Sequence, residues 1–346
     1  MPDATATSGR TRRLLVALAV AVALVAASTA LAYAFTVHRY QSNLTRVHGA
    51  IDAHASDRPK VPTGVTAANW LVVGSDSRAA HGTSGRDAED PLWRPGMQRT
   101  DTIMLVHLAG DGRHVSITSI PRDSWVHVPG HGMAKINAAF SYGGPALLVR
   151  TVERLTHIRI DHYAAIDFAG FKEMTNAVGG VTVEIPRTVH DSARGRTWTR
   201  GHHHLDGADA LAYVRQRHGL PHGDLDRVRR QQGFLLALLA KVRSRGTLTH
   251  PLRLDRFLDA TTEAVTVDDS LKGGELRSLA LGYRDLGAGD LTFLTAPIRS
   301  SGWEGKQAVL YLDRTKSGEL FTALRRDRVA GYVKAGGETN RVRAPN

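Results

Sequence analysis

The sequence predicts an α/β domain that follows a single membrane-spanning helix. Strand-like and helix-like segments alternate from about residue 69 to about residue 331, a pattern typical of α/β domains. Ahead of them, an uncharged and mostly apolar run from Leu14 to Val37 has the length that a bilayer requires. Hydrophobic residues make up 42% of the chain, so it can form a buried core.

The charge balance favours anionic partners, and the lack of cysteine removes several kinds of chemistry. Lys and Arg number 45 and Asp and Glu number 33, which gives a formal net charge of +12. Nucleic acid, phospholipid headgroups and phosphorylated substrates are all compatible with that charge. Because the chain contains no cysteine, disulfides, thiolate metal sites and a cysteine nucleophile are excluded.

The apolar run also sets the expected orientation of the chain. Three arginines within residues 10–13 precede it, so the positive-inside rule keeps residues 1–13 in the cytoplasm and sends the remainder outside. A cleaved signal peptide is the alternative, because Ala30-Leu31-Ala32 and Ala32-Tyr33-Ala34 both resemble cleavage sites, although signal peptides have shorter apolar cores. In both cases the body of the protein leaves the cytoplasm, which argues against nucleic acid as a partner. We expect a single-pass protein of the cell membrane with an extracytoplasmic catalytic domain.

Three regions follow the predicted anchor at 14–37. Residues 38–68 are polar and mixed, and we interpret them as a stalk. The folded domain is expected at 69–334, because no linker-like change of composition divides it. Residues 335–346 are expected to form a disordered tail.

The strands and helices of the domain are predicted in chain order. The first strand covers Asn69 to Val73, and the polar run from Ser75 to Arg78 is expected to form a loop. A hairpin follows, with strands at Thr102 to Leu108 and His114 to Ile120. The remaining pattern predicts helices at 145–155, 168–178, 205–213 and 224–243, and strands at 162–166, 181–185 and 291–294.

Charged residues are expected to gather at one rim of this sheet. Antiparallel pairing of the hairpin places Arg99 and Asp101 beside Arg122 and Asp123. If the first strand runs parallel to the third, its outgoing loop reaches the rim where α/β sheets usually bind ligands. That loop would then add two further charged residues, Asp76 and Arg78.

This mixture of charges suits a metal-bound phosphate. Asp76 and Asp101 would supply hard oxygen ligands for Mg²⁺, or for Mn²⁺ in its place. Arginines would bind the nonbridging phosphate oxygens through paired N–H groups and neutralise charge during attack at phosphorus: Arg78, Arg99 and Arg122. Ordinary ion pairs at strand ends are the alternative for each residue taken alone.

A second polar cluster is expected further along the chain. Arg215 and Arg217 face the same side only if the backbone there is extended. Asp224, Arg227 and Gln231 share one face of a predicted helix, close to its first turns. Because the N–H groups of a helix N-terminus favour anions, this face is a candidate phosphate site. A solvated basic helix face is the alternative.

At these residues the sequence resembles the LytR-CpsA-Psr family of cell-wall glycopolymer transferases. The similar stretches are NWLVVGSDSR, QRTDTIMLVHL, ITSIPRDSWVHVPGHGMAKINAAFSYGG, IDHYAAIDFAGFKEMTNAVGGVTVEIP, LDGADALAYVRQRH and GDLDRVRRQQ. They cover roughly Asn69 to Gln232 in the order that the family has them. The resemblance implies an α/β/α sandwich with a central mixed sheet, preceded by one transmembrane helix.

The resemblance also implies roles for individual residues. Asp76 and Asp101 correspond to the metal-associated aspartates of the family, and Asp224 completes the polar shell. Three further residues match motif positions without a defined role: Arg78, Asp123 and Arg227. The lipid pyrophosphate would be contacted by Arg99, Arg122, Lys135, Arg215, Arg217 and Gln231.

The expected reaction is a phosphotransfer. A hydroxyl of a peptidoglycan sugar would attack a glycopolymer carried on polyprenyl pyrophosphate and form a phosphodiester. The catalytic residues would be Asp76, Asp101, Arg122 and Asp123, with Asp101 or Asp123 as base. A hydrolase of the same lipid pyrophosphate, a non-catalytic lipid-binding or wall-binding protein and a transcription regulator are the alternatives.

Overall fold

The structure of the chain is a computed structural model. It describes residues 39, 42–77, 92–96, 98–221, 223–244, 251–271, 275, 282–283 and 286–338, and only the backbone at 76–77, 244 and 251–254. The predicted anchor at 14–37 lies outside the described residues. Within the described ranges, none of the helices has both the length and the apolar character needed to cross a bilayer.

The elements of the domain are numbered in chain order. The strands are β1 (Thr45–Val47), β2 (Ala68–Ser77), β3 (Gln98–Leu108), β4 (Val115–Ser119), β5 (Trp125–Val128), β6 (Gly132–Lys135), β7 (His162–Ile166), β8 (Val181–Ile185), β9 (Val189–Asp191), β10 (Arg196–Trp198), β11 (Gly201–Leu205), β12 (Val265–Asp268), β13 (Leu291–Thr295), β14 (Ile298–Glu304) and β15 (Gln307–Leu312). The helices are α1 (Ile136–Thr156), α2 (Phe168–Ala177), α3 (Gly207–Arg215), α4 (Asp224–Ser244), α5 (Pro251–Ala264), α6 (Arg314–Arg325) and α7 (Val329–Lys334).

A seven-stranded mixed sheet forms the centre of the domain. Its strand order is β1-β12-β7-β2-β3-β4-β13. The pairs β2–β3 and β3–β4 are antiparallel, whereas β7–β2 and β4–β13 are parallel. The predicted hairpin is therefore confirmed, and β2 runs in the same direction as β4.

Alternating side chains of the central strands pack against helices on both faces of the sheet. Leu71 and Val73 of β2 belong to the same buried cluster as Leu148 of α1. Met104 of β3 points to the opposite face and belongs to a cluster with Leu236 of α4. Helices therefore cover the sheet on both sides.

Helix α1 contains a kink that explains why only part of it was predicted. Gly143 and Gly144 have non-helical backbone angles inside the element, and Pro145 follows them. At φ 64° Gly144 lies in the left-handed region, and a Cβ there would meet the Trp93 ring at 2.8 Å. The predicted helix at 145–155 is the part after the kink, since proline favours the first turn of a helix.

The domain begins earlier than the sequence indicated. The compact unit starts at Leu44, not at Asn69. Strand β1 pairs in parallel with β12 at the edge of the central sheet, and Ala50 and Ile51 enter the main core cluster. The prediction of a separate stalk was therefore wrong for residues 44–68. The few apolar residues of this segment are too scattered along the sequence to show a periodic pattern.

One other assignment is also corrected, and a segment without a predicted structure contains strands. Residues 75–77 extend β2 and are not a loop. The segment at 190–204, which matched no motif, is built from short antiparallel strands, with β9 paired to β10 and β11 paired to β8. Strands of three to five residues give too short an alternation for a pattern to reveal them. Residues 339–346 of the predicted tail lie outside the described residues.

Candidate functional site

The predicted rim forms where β2 ends and β3 begins. Asp76 lies opposite Arg99 in the ladder between these strands. Strand β4 ends beside them, and Arg122 follows it after a short turn. The side chain of Arg122 forms an ion pair and hydrogen bond with Asp101. The prediction that Asp101 and Arg122 lie at one rim is confirmed.

A β-bulge sets the position of Asp101. In the β2–β3 ladder Gly74 pairs with Thr102 and Ser75 pairs with Thr100, so Asp101 is the extra residue of β3. A bulge turns the strand locally and redirects the side chain of the inserted residue. Gly74 allows the close approach, because a Cβ there would lie 3.1 Å from Cβ of Thr102. Asp101 consequently points to the arginines at the rim.

Two carboxylates and two guanidinium groups form the centre of the site. Arg217 lies between the carboxylates, with its Nη2 3.6 Å from Oδ1 of Asp101 and its Nε 3.5 Å from Oδ1 of Asp224. Nε of Arg122 is 4.0 Å from the same oxygen of Asp224. The side chains of Asp101, Asp224 and Arg122 are less than one-fifth exposed, so water screens these charges only partly.

The arginines keep Asp101 ionised despite its burial. Burial alone would raise the pKa of this carboxyl group, but the charges of Arg122, Arg227 and Arg217 outweigh it. The hydrogen bond from Arg122 acts in the same direction, and the pKa of Asp101 is lowered from its ordinary value. Asp101 is thus an anion at neutral pH and a poor proton acceptor.

Helix α4 holds the bulge through its polar face. Arg227 is buried, and its Nη2 donates to the backbone oxygen of Asp101 at 3.1 Å and to Oδ2 of Asp224 at 3.0 Å. Nε2 of Gln231 donates to the hydroxyl of Thr102 at 2.9 Å. The face predicted from the spacing of Asp224, Arg227 and Gln231 is therefore confirmed.

Burial also affects the guanidinium group of Arg227. Desolvation lowers the pKa of Arg227 to about 10, and the nearby Arg217 and Arg122 add to this, whereas Asp224 and Asp101 oppose it. Arg227 remains charged at neutral pH. Its side chain is only 3% exposed, so its role is to hold Asp101 and Asp224 in place.

A third carboxylate stands beside the cluster. Nζ of Lys135, at the end of β6, lies 2.9 Å from Oδ1 of Asp123. The other oxygen of Asp123 is 3.6 Å from Nε of Arg122. Lys135, whose role only the family resemblance implied, therefore joins the same network of charges.

Other predicted residues have different surroundings. Helix α3 ends at Arg215, and the guanidinium group of Arg215 lies 3.8 Å from the ring centre of Phe168. Gln216 is extended, which turns Arg217 towards Asp101. Arg99 is exposed, and only the backbone of Asp76 is described. Arg78 lies outside the described residues.

Two buried N–H groups at the site have no hydrogen-bond acceptor among the described residues. They are Nε of Arg122 and Nε of Arg227. Oδ1 of Asp224 is also buried and without a hydrogen-bond partner among the described residues. Buried polar atoms are almost always paired in folded proteins, so these unpaired atoms indicate a site that a polar ligand would complete, and the surrounding arginines favour an anionic one. The site is therefore suited to bind phosphate oxygens.

Comparison with known proteins agrees with this geometry. The family model named LytR_cpsA_psr matches residues 34–326. The chain belongs to the LytR-CpsA-Psr family. The cell wall biosynthesis protein LcpA of Corynebacterium glutamicum is 36% identical over 288 residues, which cover 75% of this chain and 54% of LcpA.

Two further relatives were compared. The polyisoprenyl-teichoic acid–peptidoglycan teichoic acid transferase TagU of Enterococcus faecalis is 34% identical over 54% of this chain and 59% of TagU. The crystal structure of B. subtilis TagV is 28% identical and matches with a TM-score of 0.62, covering 76% of this chain and 97% of TagV. The chain thus spans little more than half the length of the curated relatives LcpA and TagU.

The carboxylates at the rim are candidate metal ligands. No group of three or more His, Cys, Asp or Glu side chains suited to a metal ion occurs in the described part of the chain, which leaves out the Asp76 side chain. Asp101 remains a hard, ionised oxygen donor, and the register brings the backbone of Asp76 to the same rim. An ionised carboxylate such as that of Asp101 is the type of ligand that Mg²⁺ prefers.

Two contributions to the site were not predicted from the sequence. The hydroxyl of Thr102 accepts the hydrogen bond of Gln231, and Phe168 provides the ring for Arg215. Thr102 follows Asp101 directly, but no local pattern predicts the bulge at Asp101. Phe168 begins α2 beside the rim, and only the pairing of β7 with β2 brings it there.

Proposed function

We propose that this chain transfers a glycopolymer from a polyprenyl-pyrophosphate carrier to a hydroxyl group of a peptidoglycan sugar. The convergence of Arg122, Arg217 and Arg227 around Asp101 and Asp224 carries the proposal. Several fixed guanidinium groups in a partly buried site suit a diphosphate, which holds negative charge over several oxygens. The names of LcpA and TagU support cell-wall transfer as the context.

Some of the residues bind the pyrophosphate, and others position the residues that do so. Arg122 and Arg217 bind nonbridging oxygens of the pyrophosphate and stabilise the charge that develops when phosphorus is attacked. Lys135 adds a point charge next to Asp123. Arg227 and Gln231 position the bulge that carries Asp101. Arg99 and Arg215 complete the proposed substrate contacts together with Arg78, which follows the last residue of β2 in the sequence.

The proposed reaction is a displacement at the glycan-side phosphorus. The sugar hydroxyl oxygen forms a bond to that phosphorus, and the bond to the bridging oxygen breaks. Polyprenyl phosphate leaves with the bonding electrons, and the polymer stays on the wall through a phosphodiester. We assign the acceptance of the hydroxyl proton to Asp123, because Arg122, Arg227 and Arg217 hold Asp101 in its ionised form.

A divalent metal is part of the proposal. Asp76 and Asp101 would hold Mg²⁺ or Mn²⁺, which would neutralise pyrophosphate charge when bound. The ionised state of Asp101 supports this assignment. The proposed setting is the outer face of the cell membrane, with residues 14–37 as the single span and peptidoglycan as the partner. Nucleic acid has no part in it.

A hydrolase is the second candidate, because water could replace the sugar hydroxyl at the same site. The test uses the full chain, a purified lipid-linked glycan and added Mg²⁺, with and without peptidoglycan. Transferase activity gives wall-linked polymer only with acceptor, whereas a hydrolase releases polymer when acceptor is withheld. Asp76→Ala and Arg122→Ala should each abolish product formation. Turnover near wild type in both variants would refute the assignment of the site.

A further inference from the structure

The hairpin of β5 and β6 has one face that is open to solvent next to the rim. In its ladder Trp125 pairs with Lys135 and His127 pairs with Met133, so these four side chains share a face. Met133 is 51% exposed and His127 is exposed too, whereas Val126, between Trp125 and His127, is buried on the other face. The face that carries these four residues is called the outer face of the hairpin.

The outer face begins at the residue to which the role of base is assigned. Nζ of Lys135 lies 2.9 Å from Oδ1 of Asp123, so the side chain of Asp123 is on the same side as the outer face. Trp125 is only two residues further along the chain, so its Cα lies within about 7 Å of that of Asp123. The outer face is therefore continuous with the rim.

Backbone hydrogen bonds fix the hairpin relative to the rim. The N–H group of Leu310 in β15 donates to the backbone oxygen of Asp123 at 2.9 Å. The N–H group of Ile136, where α1 begins, donates to the backbone oxygen of Ser124 at 2.9 Å. The chain is thus held from both sides between Asp123 and the start of β5, and a molecule bound on the outer face would have a defined position relative to Asp123.

A second aromatic group stands at the far end of the hairpin. The ring of His131, in the turn between β5 and β6, stacks on the ring of Tyr142 in α1, with 4.6 Å between the ring centroids and 21° between the ring planes. Tyr142 is 48% exposed. Its neighbour Ser141 donates a hydrogen bond to the backbone oxygen of Gln98 at 2.7 Å, at the start of the strand that carries Asp101. The stack is thus held close to the rim as well.

The chemistry of these side chains suits a sugar chain better than a phosphate or a hydrocarbon. Lys135 is the only one of the four outer-face residues with a permanent charge, and it is already paired with Asp123, so the face offers little to an anion. His127 interrupts the apolar surface that a hydrocarbon chain would need. A sugar ring has an apolar face and a rim of hydroxyl groups, which match aromatic rings and the nitrogen atoms of histidine.

We propose that the outer face of the hairpin, together with the His131–Tyr142 stack, binds the glycan strand of the peptidoglycan acceptor. This inference rests on the proposed function, because it names the surface that presents the acceptor hydroxyl to Asp123. The reacting sugar lies at Asp123, and the next sugar ring stacks on Trp125. The strand continues along the hairpin to Tyr142. Binding over this length holds the hydroxyl in one position and so favours its attack on phosphorus.

Calorimetric titration of the full chain in detergent with soluble, uncrosslinked peptidoglycan strands tests this proposal without any lipid-linked glycan. Trp125→Ala and Tyr142→Ala should each weaken binding by about tenfold, because aromatic anchors dominate such interfaces. Trp303→Ala is the matched control and should bind the strands as the wild type does, although it removes a tryptophan that is 71% exposed. Trp303 shares a face of its hairpin with Leu310, which pairs with the buried Ser124, so Trp303 lies on the opposite face from Trp125.

Thermal unfolding checks that the variants fold, and Tyr142→Ala alone decides the test if the half-buried Trp125 proves necessary for folding. Wild-type affinity in the folded variants, or an equal loss of affinity in Trp303→Ala, would overturn the proposal.

Turnover gives an independent measurement of the same surface. When lipid-linked glycan is added, the KM for peptidoglycan strands should rise in Trp125→Ala and Tyr142→Ala, while the KM for the lipid-linked glycan stays unchanged. A rise in the second KM alone would assign the surface to the carrier and overturn the proposal. Because strand binding is measured without turnover, a protein that binds strands through Trp125 and Tyr142 but transfers nothing would refute the proposed reaction and leave the binding surface in place.

Discussion

Two clusters of arginines and carboxylates lie at opposite ends of the central strands, and they differ in how completely their charged groups are paired. Arg58 and Glu153 form a closed pair: Nε and Nη2 of Arg58 contact the carboxylate, and Oε1 of Glu153 also accepts from Ile160. At the rim, Asp101 and Asp224 share Arg122, Arg217 and Arg227, and among the described residues two arginine Nε atoms and Oδ1 of Asp224 lack a hydrogen-bond partner. The first cluster is complete without a ligand, and the second is not.

This difference predicts that the first cluster contributes mainly to the stability of the fold and the second mainly to the proposed function. The Arg58–Glu153 pair, whose polar atoms are hydrogen-bonded, holds α1 and the segment before β2 in place. Removing one partner leaves the other charge buried without a counter-charge. At the rim, each carboxylate has more than one cationic neighbour, so the loss of one arginine leaves the others to compensate. We therefore expect substitutions in the first cluster to destabilise the folded protein and substitutions in the second to slow the proposed reaction.

Glu153→Ala should have the largest effect on stability. It leaves the Arg58 guanidinium buried without a counter-charge, which costs about 3 to 5 kcal/mol. Denaturant unfolding of the full chain in detergent measures the loss. Asp57→Ala is the matched control, because its partner Arg150 is exposed and such pairs contribute about 0 to 1 kcal/mol. Equal losses in the two variants would remove the distinction between the clusters.

Arg217→Ala should instead reduce turnover. Removing a side chain that reaches both Asp101 and Asp224 is expected to slow transfer by about 10² to 10³, or roughly 2.7 to 4 kcal/mol in the barrier. Stability should change by less than about 1 kcal/mol, because Arg122 and Arg227 remain. Arg229→Ala on α4 is the control, since Arg229 is exposed and pairs only with Asp226 at 2.9 Å among the described contacts. A large loss of stability with normal turnover would reverse the two roles.

The same contrast shows what the sequence could predict. Helical spacing was enough to place Asp224, Arg227 and Gln231 on one face, because these residues are close in the chain. Hairpin pairing was enough to bring Asp101 to the rim. The bulge at Asp101 depends on how β2 and β3 pair over their whole length, and no local pattern encodes it.

The closed pair was not predicted at all. Arg58 and Glu153 are 95 residues apart, and Arg58 lies in a segment that was interpreted as a stalk. Nothing in the local sequence distinguishes these two residues from other charges. Only the packing of residues 50–60 against α1 creates the buried environment that requires their pairing.

The dependence of the unfolding free energy on acidic pH tests the role of Asp101 at the rim. The pKa of Asp101 lies below its ordinary 3.8 in the folded protein. Its contribution is therefore fully present above pH 3.8 and is lost as the pH falls through the folded pKa. The difference in unfolding free energy between wild type and Asp101→Asn should be constant from about pH 5 to 7 and should shrink in stronger acid. A difference that instead grew below pH 3.8 would mean that the arginines do not stabilise the ionised carboxylate.

The smallest effect is expected where α4 contacts the bulge. Gln231→Ala removes the hydrogen bond to the hydroxyl of Thr102, which should cost about 0.5 to 1.5 kcal/mol of stability. Thr102→Val removes the same bond from the other side, so the double variant should lose less than the sum of the two single losses. Turnover measured on the same set decides what the bond does: if it positions Asp101, both single variants slow transfer to a similar extent and the double variant is no slower than either. Additive losses of stability with unchanged turnover would show that α4 and the bulge contribute independently, and the rim would then owe its geometry to the strands alone.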